Sequence, residues 1–216
     1  MASNLARITE ILADRPVKLV AVTKKADLAQ IEEAFELGVT EFGENRIQDA
    51  LEKREHLSPS LVHSANWHFI GHLQTNKVRQ AVGNFCLIHS VDSLKLARQI
   101  GKTATAKGII QAILLQVQIL DDPSKSGFTP EQLLDQFAQI RAIPGLAIEG
   151  LMTITPHTDD QSIWRQSFSG LRELKTQLEL AHAVTLKELS MGMTNDWREA
   201  VSQGATIVRL GRAIFN

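Results

Sequence analysis

One pattern recurs along the chain: a short run of apolar residues, rich in valine and isoleucine, followed by a stretch with helical spacing of its apolar positions. The first example is VKLVAVT (17–23), which is followed by the helix-like segment 27–37. Runs that are apolar nearly throughout are typical of parallel strands covered on both faces. An amphipathic stretch between two such runs supplies the crossover helix of a βαβ unit. The pattern therefore predicts a parallel sheet with helices packed outside it.

The pattern occurs eight times. The predicted strands are 17–23, 39–43, 66–71, 85–91, 109–119, 147–154, 185–191 and 205–210. The predicted helices are one before the first strand and then 27–37, 45–57, 75–82, 93–107, 130–141, 161–182 and 195–203. Side chains suited to cap these helices are Asp27, Asp92, Thr129 and Asn195. Eight repeats favour a closed (β/α)8 TIM barrel with an extra N-terminal helix over an open doubly wound sheet, as a single domain over 1–216.

Composition narrows the possible functions. The formal net charge is −1, which disfavours a nucleic-acid partner because phosphate-backbone binders are usually basic. No apolar run approaches the ~20 residues of a membrane helix, and the first residues do not resemble a signal peptide, so we expect a cytoplasmic protein. The single cysteine, Cys86, lies in an apolar run and is expected to be an inert core residue. The chain has no tyrosine, which removes any mechanism that needs a phenol.

In TIM barrels, ligands bind at the carboxyl ends of the strands. Lys24 stands at the end of the first predicted strand, and strand alternation puts Val20, Val22 and Lys24 on one face and Thr23 on the other. A lysine in that place is expected to be partly shielded from water, which favours the neutral amine that attacks carbonyl carbons. A solvated lysine, or one that pairs with an anion, fits the pattern too.

The ends of the last two strands suggest a phosphate site. The segment 190–195 (SMGMTN) runs from the seventh strand into a helix, and 209–212 (RLGR) follows the same plan after the eighth. Hydroxyl and backbone N–H groups in such turns bind anions, although ordinary turn chemistry explains them too. Arg209 lies inside an apolar strand, so it is expected to be buried and to need a carboxylate or ligand partner.

Other polar residues give weaker signals. His68 and His72 are four apart, but Gly71 intervenes in a strand-to-loop segment, so we expect no metal site there. The segment 125–127 is expected to be a loop that either clamps a ligand or is solvated. The charged stretch 46–54 is expected to be a solvated helix face.

These runs together resemble a known family, the pyridoxal 5′-phosphate (PLP) homeostasis proteins, single-domain relatives of the barrel half of bacterial alanine racemase. The runs that carry the resemblance are AVTKK (21–25), FGEN (42–45), WHFIGHLQTNK (67–77), SKSG (124–127), IEGLM (148–152), ELSMGMTND (188–196) and VRLGRAIF (208–215). They follow the family's order over almost the whole chain.

The resemblance implies a PLP-binding TIM barrel that holds the cofactor as a Schiff base on Lys24. It implies that Ser190, the backbone around Gly192 and Met193, and the backbone of Gly211 and Arg212 hold the phosphate. Asn45 would lie beside the cofactor, and Arg209 would face the pyridine nitrogen. No catalytic residue and no metal are implied.

The implied role of Arg209 bears on catalysis. A guanidinium donates hydrogen bonds and accepts no proton, so it keeps the ring nitrogen unprotonated and weakens the ring as an electron sink. Alanine racemase uses a tyrosine from a second domain, whereas this sequence has no tyrosine and is expected to form a single domain. The expected function is therefore PLP homeostasis by a monomer that binds PLP, with amino acids as further candidate ligands, without robust catalysis. The alternative is a weak PLP-dependent amino-acid racemase or another Schiff-base TIM-barrel enzyme.

Overall fold

Eight parallel strands close into a barrel in the computed structural model, which describes residues 1–122 and 125–216. The strands β1 to β8 are Lys18–Val22, Glu41–Glu44, Asn66–Phe69, Leu87–Val91, Gln111–Gln116, Leu146–Met152, Glu188–Ser190 and Ile207–Leu210. Each strand pairs with its neighbours in chain order, and β1 pairs with β8, where Val20 lies opposite Arg209. The predicted (β/α)8 barrel is confirmed.

Helices surround the barrel. The helices α1 to α10 are Ala2–Leu12, Leu28–Glu36, Ile47–His56, Pro59–Ser64, Val78–Ala81, Leu94–Ala106, Pro130–Arg141, Gln161–His182, Trp197–Ser202 and Arg212–Phe215, with a 3-10 turn at Thr75–Lys77. The predicted N-terminal helix is α1, which buries Leu5, Ile8 and Leu12. Among the described residues, no helix has both the length and the apolar character needed to cross a membrane.

Two separate apolar clusters follow from strand alternation. Side chains that point outward from the strands pack under the helices in one large cluster, which includes Phe42 and Phe168. Side chains that point inward form a much smaller cluster. Its buried members are Val20, Leu87, Leu114, Met152 and Ile207. The small size of the inner cluster leaves much of the barrel interior to polar side chains.

The predicted caps are half right. Asp27 and Thr129 cap α2 and α7, each in a reciprocal capping box with the glutamine three residues on. Asp92 is wrong, because α6 starts one residue later than predicted and Ser93 accepts from Leu96 N–H instead. Asn195 is wrong as well, because the N-cap position of α9 falls on the next residue, whose side chain makes no cap hydrogen bond.

Two short helices, α4 and α10, were not predicted from the sequence pattern. The helices α4 and α10 have six and four residues, too few to show a helical repeat. The start of α4 is nevertheless marked by Ser58 at the N-cap and Pro59 after it. Cys86 is exposed, not buried as expected, because β4 begins only at Leu87.

The capping box of α7 gives a stability prediction. Thr129→Ala removes the side-chain acceptor of Gln132 N–H and should lower the free energy of unfolding by about 1 kcal/mol, measured by urea denaturation followed by circular dichroism. Thr176→Ala is the matched control, because Thr176 is exposed inside α8 and alanine favours helix. Equal losses in both variants would contradict the cap's contribution.

Candidate functional site

The predicted cofactor residues gather on four neighbouring strands of the barrel. β7, β8, β1 and β2 are consecutive around the closed sheet. The residues lie within these strands or just after them: Lys24 after β1, Asn45 after β2, Ser190 at the end of β7, Gly192 and Met193 after it, Arg209 in β8, and Gly211 and Arg212 after it. Barrel closure thus brings residues 24 and 209 to adjacent strands, although they are far apart in sequence.

Lys24 lies in a turn that follows β1. The alternation expected along β1 is seen, since Val20 joins the inner cluster while the Thr23 hydroxyl contacts Glu44 on the outer side. Lys24 and Lys25 are both exposed. The expected shielding of Lys24 from water is therefore wrong for this structure, because β1 ends at Val22 and the turn carries the lysine out of the barrel wall.

A buried ion pair fixes the backbone next to Lys24. Lys53 Nζ donates to Thr23 O at 2.6 Å and to Glu44 Oε1 at 2.7 Å, and Thr23 Oγ1 donates to the same oxygen at 2.6 Å. The Glu44 side chain is fully buried, and its Oε2 has no hydrogen-bond partner among the described residues. These contacts hold Thr23, and with it the start of the turn that presents Lys24.

Sequence reasoning missed this pair. The stretch 46–54 was expected to be a solvated face, but Lys53 is only 19% exposed. Arg54 is also partly buried and donates to Asn84 O at 2.8 Å. The available signal was Glu44, a carboxylate directly after the predicted strand 39–43.

Arg209 is the one arginine buried in the barrel interior among the described residues, at 3% exposure. Its Nη1 donates to Ser190 Oγ at 2.6 Å and its Nη2 donates to Thr153 O at 2.9 Å. Burial lowers the pKa of the guanidinium to about 10, although the negative charge of Asp196 acts in the opposite direction. Arg209 is therefore a cation at neutral pH that no carboxylate in the described part of the chain contacts directly.

The hydroxyl of Ser190 is buried beneath the barrel mouth. It accepts from Arg209 and lies 2.8 Å from His89 Nδ1. Ser190 has no exposed surface. The structure therefore places this hydroxyl beside Arg209 and not in a loop above the strand ends.

The loop after β7 supplies a different hydroxyl. Gly192 has a φ of 93°, and a Cβ there would lie 2.6 Å from the Cβ of Ala200, so glycine is required. Met193 N–H donates to Asp196 Oδ1 at 2.6 Å, which uses that group internally. Thr194, by contrast, lines a cleft of about 270 Å³ together with Arg212. It is a residue that sequence reasoning did not single out, although it lies within the same SMGMTN run.

The end of β8 is close to the end of β1. A Cβ on Gly211 would lie 3.1 Å from Val22 O, so the glycine permits this approach. No described residue accepts a hydrogen bond from the backbone N–H groups of Arg212 and Ala213, at the start of α10. Open N–H groups and a guanidinium at one rim suit a phosphate.

His68 and His72 do not form a metal-binding pair, and Lys125, in the loop after β5, contacts the protein's own backbone. His68 points into the barrel, whereas His72 Nδ1 lies 3.3 Å from Asp92 Oδ2 outside it, so the two rings do not converge. Lys125 Nζ donates to Thr155 O, so this side chain packs on the segment that follows β6. Pro123 and Ser124, the latter in the SKSG run, lie outside the described residues.

The buried pair beside Lys24 predicts an unequal cost of removing two lysines. Lys53→Met leaves the Glu44 carboxylate buried without its cation and should lower the free energy of unfolding by about 3–5 kcal/mol in urea. Lys18→Met is the matched control, because the Lys18–Glu188 pair has a half-exposed lysine and should cost no more than about 1 kcal/mol. Similar losses in the two variants would contradict the role of burial.

Known proteins share both the sequence and the fold. The family model described as alanine racemase, N-terminal domain, matches residues 1–216. A protein of Synechocystis sp. named pyridoxal phosphate homeostasis protein is 43% identical over 209 residues, which cover 96% of this chain and 95% of that protein. One of Aquifex aeolicus with the same name is 39% identical over 92% of this chain and 86% of that protein.

Solved structures of similar fold include a PLP-bound protein and alanine racemases. PipY of Synechococcus elongatus with PLP bound has a TM-score of 0.88 and 37% identity, covering 100% of this chain and 99% of that one. Alanine racemase of Clostridium difficile has a TM-score of 0.81, covering 98% of this chain and 55% of that one, but at 15% identity it shows the fold alone. The chain therefore belongs to the family of the alanine racemase N-terminal domain and, within it, to the pyridoxal phosphate homeostasis proteins.

Proposed function

We propose that this protein binds pyridoxal 5′-phosphate reversibly through a covalent bond to Lys24 and serves PLP homeostasis, without robust catalysis of its own. The observation that carries the proposal is Arg209, a buried cation with no carboxylate contact among the described residues. Only two of the five N–H groups of its guanidinium have acceptors there. It lies on β8, which pairs with β1, the strand that ends two residues before Lys24.

The residues present fit the cofactor. When bound, PLP supplies an aldehyde carbon that a primary amine attacks, with the loss of one water. In the proposed complex, Lys24 supplies that amine and Arg209 donates a hydrogen bond to the ring nitrogen. Asn45, half-buried at the end of the neighbouring β2, lines the space beside the ring.

The phosphate is proposed to lie between the ends of β7 and β8. The open backbone N–H of Arg212 and its guanidinium are the donors at the end of β8, where Gly211 allows close approach. Thr194 is a candidate hydroxyl, because it lines the same cleft as Arg212. Gly192 and Met193 shape the loop that carries it. In this arrangement Ser190 serves the cofactor through Arg209.

The same geometry favours a carrier over a catalyst. Arg209 can only donate, so it does not help to protonate the ring nitrogen, and an unprotonated ring stabilises a carbanion poorly. Asp196, the buried carboxylate whose charge acts on the pKa of Arg209, already accepts from Thr155 and from Met193 N–H. No tyrosine exists to act as a base.

A monomer is the simplest form of this carrier. β1 pairs with β8, so the barrel leaves no open sheet edge at which a second copy could add a strand. The proposed site also draws only on strands of one chain. Sedimentation of the PLP-loaded protein at the mass of one chain supports this part of the proposal, and a stable dimer would contradict it.

The covalent bond can be located directly. Protein mixed with PLP and reduced with borohydride should carry the pyridoxyl group on Lys24 by peptide mass spectrometry. Lys24→Ala should remain colourless, whereas Lys25→Ala, the same change at the adjacent exposed lysine, should stay yellow. A label on Lys25, or a wild-type protein that takes up no PLP, would contradict the proposal. So would turnover of either alanine enantiomer faster than free PLP, lost in Lys24→Ala, because it would indicate a racemase.

The placement of Arg209 can be tested by spectrum. Arg209→Glu puts a carboxylate beside the ring nitrogen, favours its protonation, and should shift the visible band of the PLP-loaded protein to longer wavelength or redistribute its intensity. Arg212→Glu is the control, because it changes the same charge at the phosphate end and should weaken binding without changing the band. Circular dichroism checks folding, since Arg209 is buried. An unchanged band in folded, loaded Arg209→Glu would place the guanidinium elsewhere.

A further inference from the structure

A row of hydrogen-bonded side chains crosses the barrel interior beneath the proposed cofactor site. The row, which we call the relay, consists of Arg209, Ser190, His89, His68 and Glu41. After the Arg209–Ser190 contact, Ser190 Oγ lies 2.8 Å from His89 Nδ1, His89 Nε2 lies 2.9 Å from His68 Nδ1, and His68 Nε2 lies 2.6 Å from Glu41 Oε2. Strands β8, β7, β4, β3 and β2 each supply one member.

The direction of every hydrogen bond follows from the Arg209 end. A guanidinium only donates, so Ser190 Oγ accepts from it. The buried Ser190 proton has His89 Nδ1 as its one acceptor among the described residues, so it points there. A neutral His89 then carries its proton on Nε2 and donates to His68 Nδ1. His68 in turn donates from Nε2 to Glu41.

The charges at the two ends agree with this direction. His89 is fully buried, and burial, more than any neighbouring charge, holds its pKa well below the ordinary value. Burial raises the pKa of Glu41, but hydrogen bonds from His68 and Asn66 outweigh it and leave the pKa below the ordinary value. With every contact donated in the same direction, the row runs from a cation to a carboxylate, and the dipoles of such a chain reinforce one another.

A purely structural role explains the relay less well. The barrel interior already contains an apolar cluster, and apolar residues could fill the remaining space at no desolvation cost. The relay instead places two histidines and a carboxylate in this space, where they provide a hydrogen-bond acceptor for the hydroxyl of Ser190. The other partner of that hydroxyl is Arg209. What the row fixes is the rotation of one hydroxyl and, through it, one side of the guanidinium.

We propose that the relay is a positioning device for Arg209, in which His89 and His68 act on a bound cofactor ring only through Ser190 and the guanidinium. The proposal rests on the proposed function for its ligand, but every contact of the relay is made within this chain. Glu41 anchors the far end and Thr153 O holds the other side of the guanidinium. The contacts with Ser190 and Thr153 O leave three of the five guanidinium N–H groups for a ligand.

The free protein tests the geometry by ¹⁵N NMR. The imidazoles of His68 and His89 should both be neutral with the proton on Nε2, and the Arg209 side-chain N–H signals should exchange slowly with water. Ser190→Ala should move the His89 signals and speed the Arg209 exchange. Ser167→Ala is the matched control, because Ser167 is another buried serine, lies in α8 and has no hydrogen-bond partner among the described residues. A proton on His89 Nδ1, or equal effects of the two variants, would overturn the relay.

The PLP-loaded protein tests the consequence. His89→Leu should change the visible band in the same sense as Arg209→Gln and speed PLP release about tenfold, the order expected when a hydrogen bond to a charged group is disturbed. His89→Asn, which can still accept from Ser190, should restore most of the wild-type band. His68→Gln should give an intermediate change, and Ser167→Ala none.

The outcomes separate the two proposals. Folded, loaded His89→Leu with the wild-type band and release rate would overturn the positioning role even if PLP binds at Lys24. A wild-type protein that takes up no PLP would contradict the proposed function alone, because the NMR signals of Arg209 in the free protein would still decide whether the relay holds it. If His89→Leu fails to fold, the Ser190→Ala comparison gives the same decision.

Discussion

The pairing of β1 with β8 closes the sheet, and the rest of the molecule depends on that closure. It places Val20 opposite Arg209, so that the first and last strands share one rim. Because all eight strands are parallel, their carboxyl ends meet at the same rim of the barrel. Lys24, the SMGMTN loop and the RLGR turn become neighbours for that reason alone.

Closure also creates an interior that is expensive to fill with polar groups. Arg209 is inside it, and an unpartnered cation there would cost far more than any single contact supplies. Hydrogen bonds to Ser190 Oγ and Thr153 O, with the relay behind Ser190, stabilise the cation without a carboxylate to neutralise it. On the outer side of the barrel wall, Glu44 and Lys53 form an ion pair, and both hydrogen-bond to Thr23. Two buried polar systems thus support the two ends of the proposed site, the amine and the ring contact.

Much of the fold and of the site could be predicted. Eight apolar runs with helical stretches between them were enough for the barrel, and the strand-end rule then selected Lys24, Arg209 and the glycines near them. Prediction was poorest where an outcome depended on one residue of register. Lys24 is exposed because β1 ends at Val22, and the cap of α6 is Ser93 because the helix starts one residue late. At such points two residues of similar chemistry are adjacent, Lys24 with Lys25 and Asp92 with Ser93, and the local pattern does not choose between them.

The sequence by itself determined the period of the repeats, the class of fold and the places where polar residues meet strand ends. Those properties are local, because they depend on the order of apolar and polar residues within each segment and on the polar residues that end each apolar run. Only the tertiary structure decided the partners: Lys53 with Glu44, Ser190 with Arg209, and His68 with both His89 and Glu41. The histidine and serine contacts of the relay join different strands, and each direction of donation follows from the contact before it. Such a chain is fixed by the barrel's closure and the need to satisfy every buried polar group, neither of which the linear pattern contains.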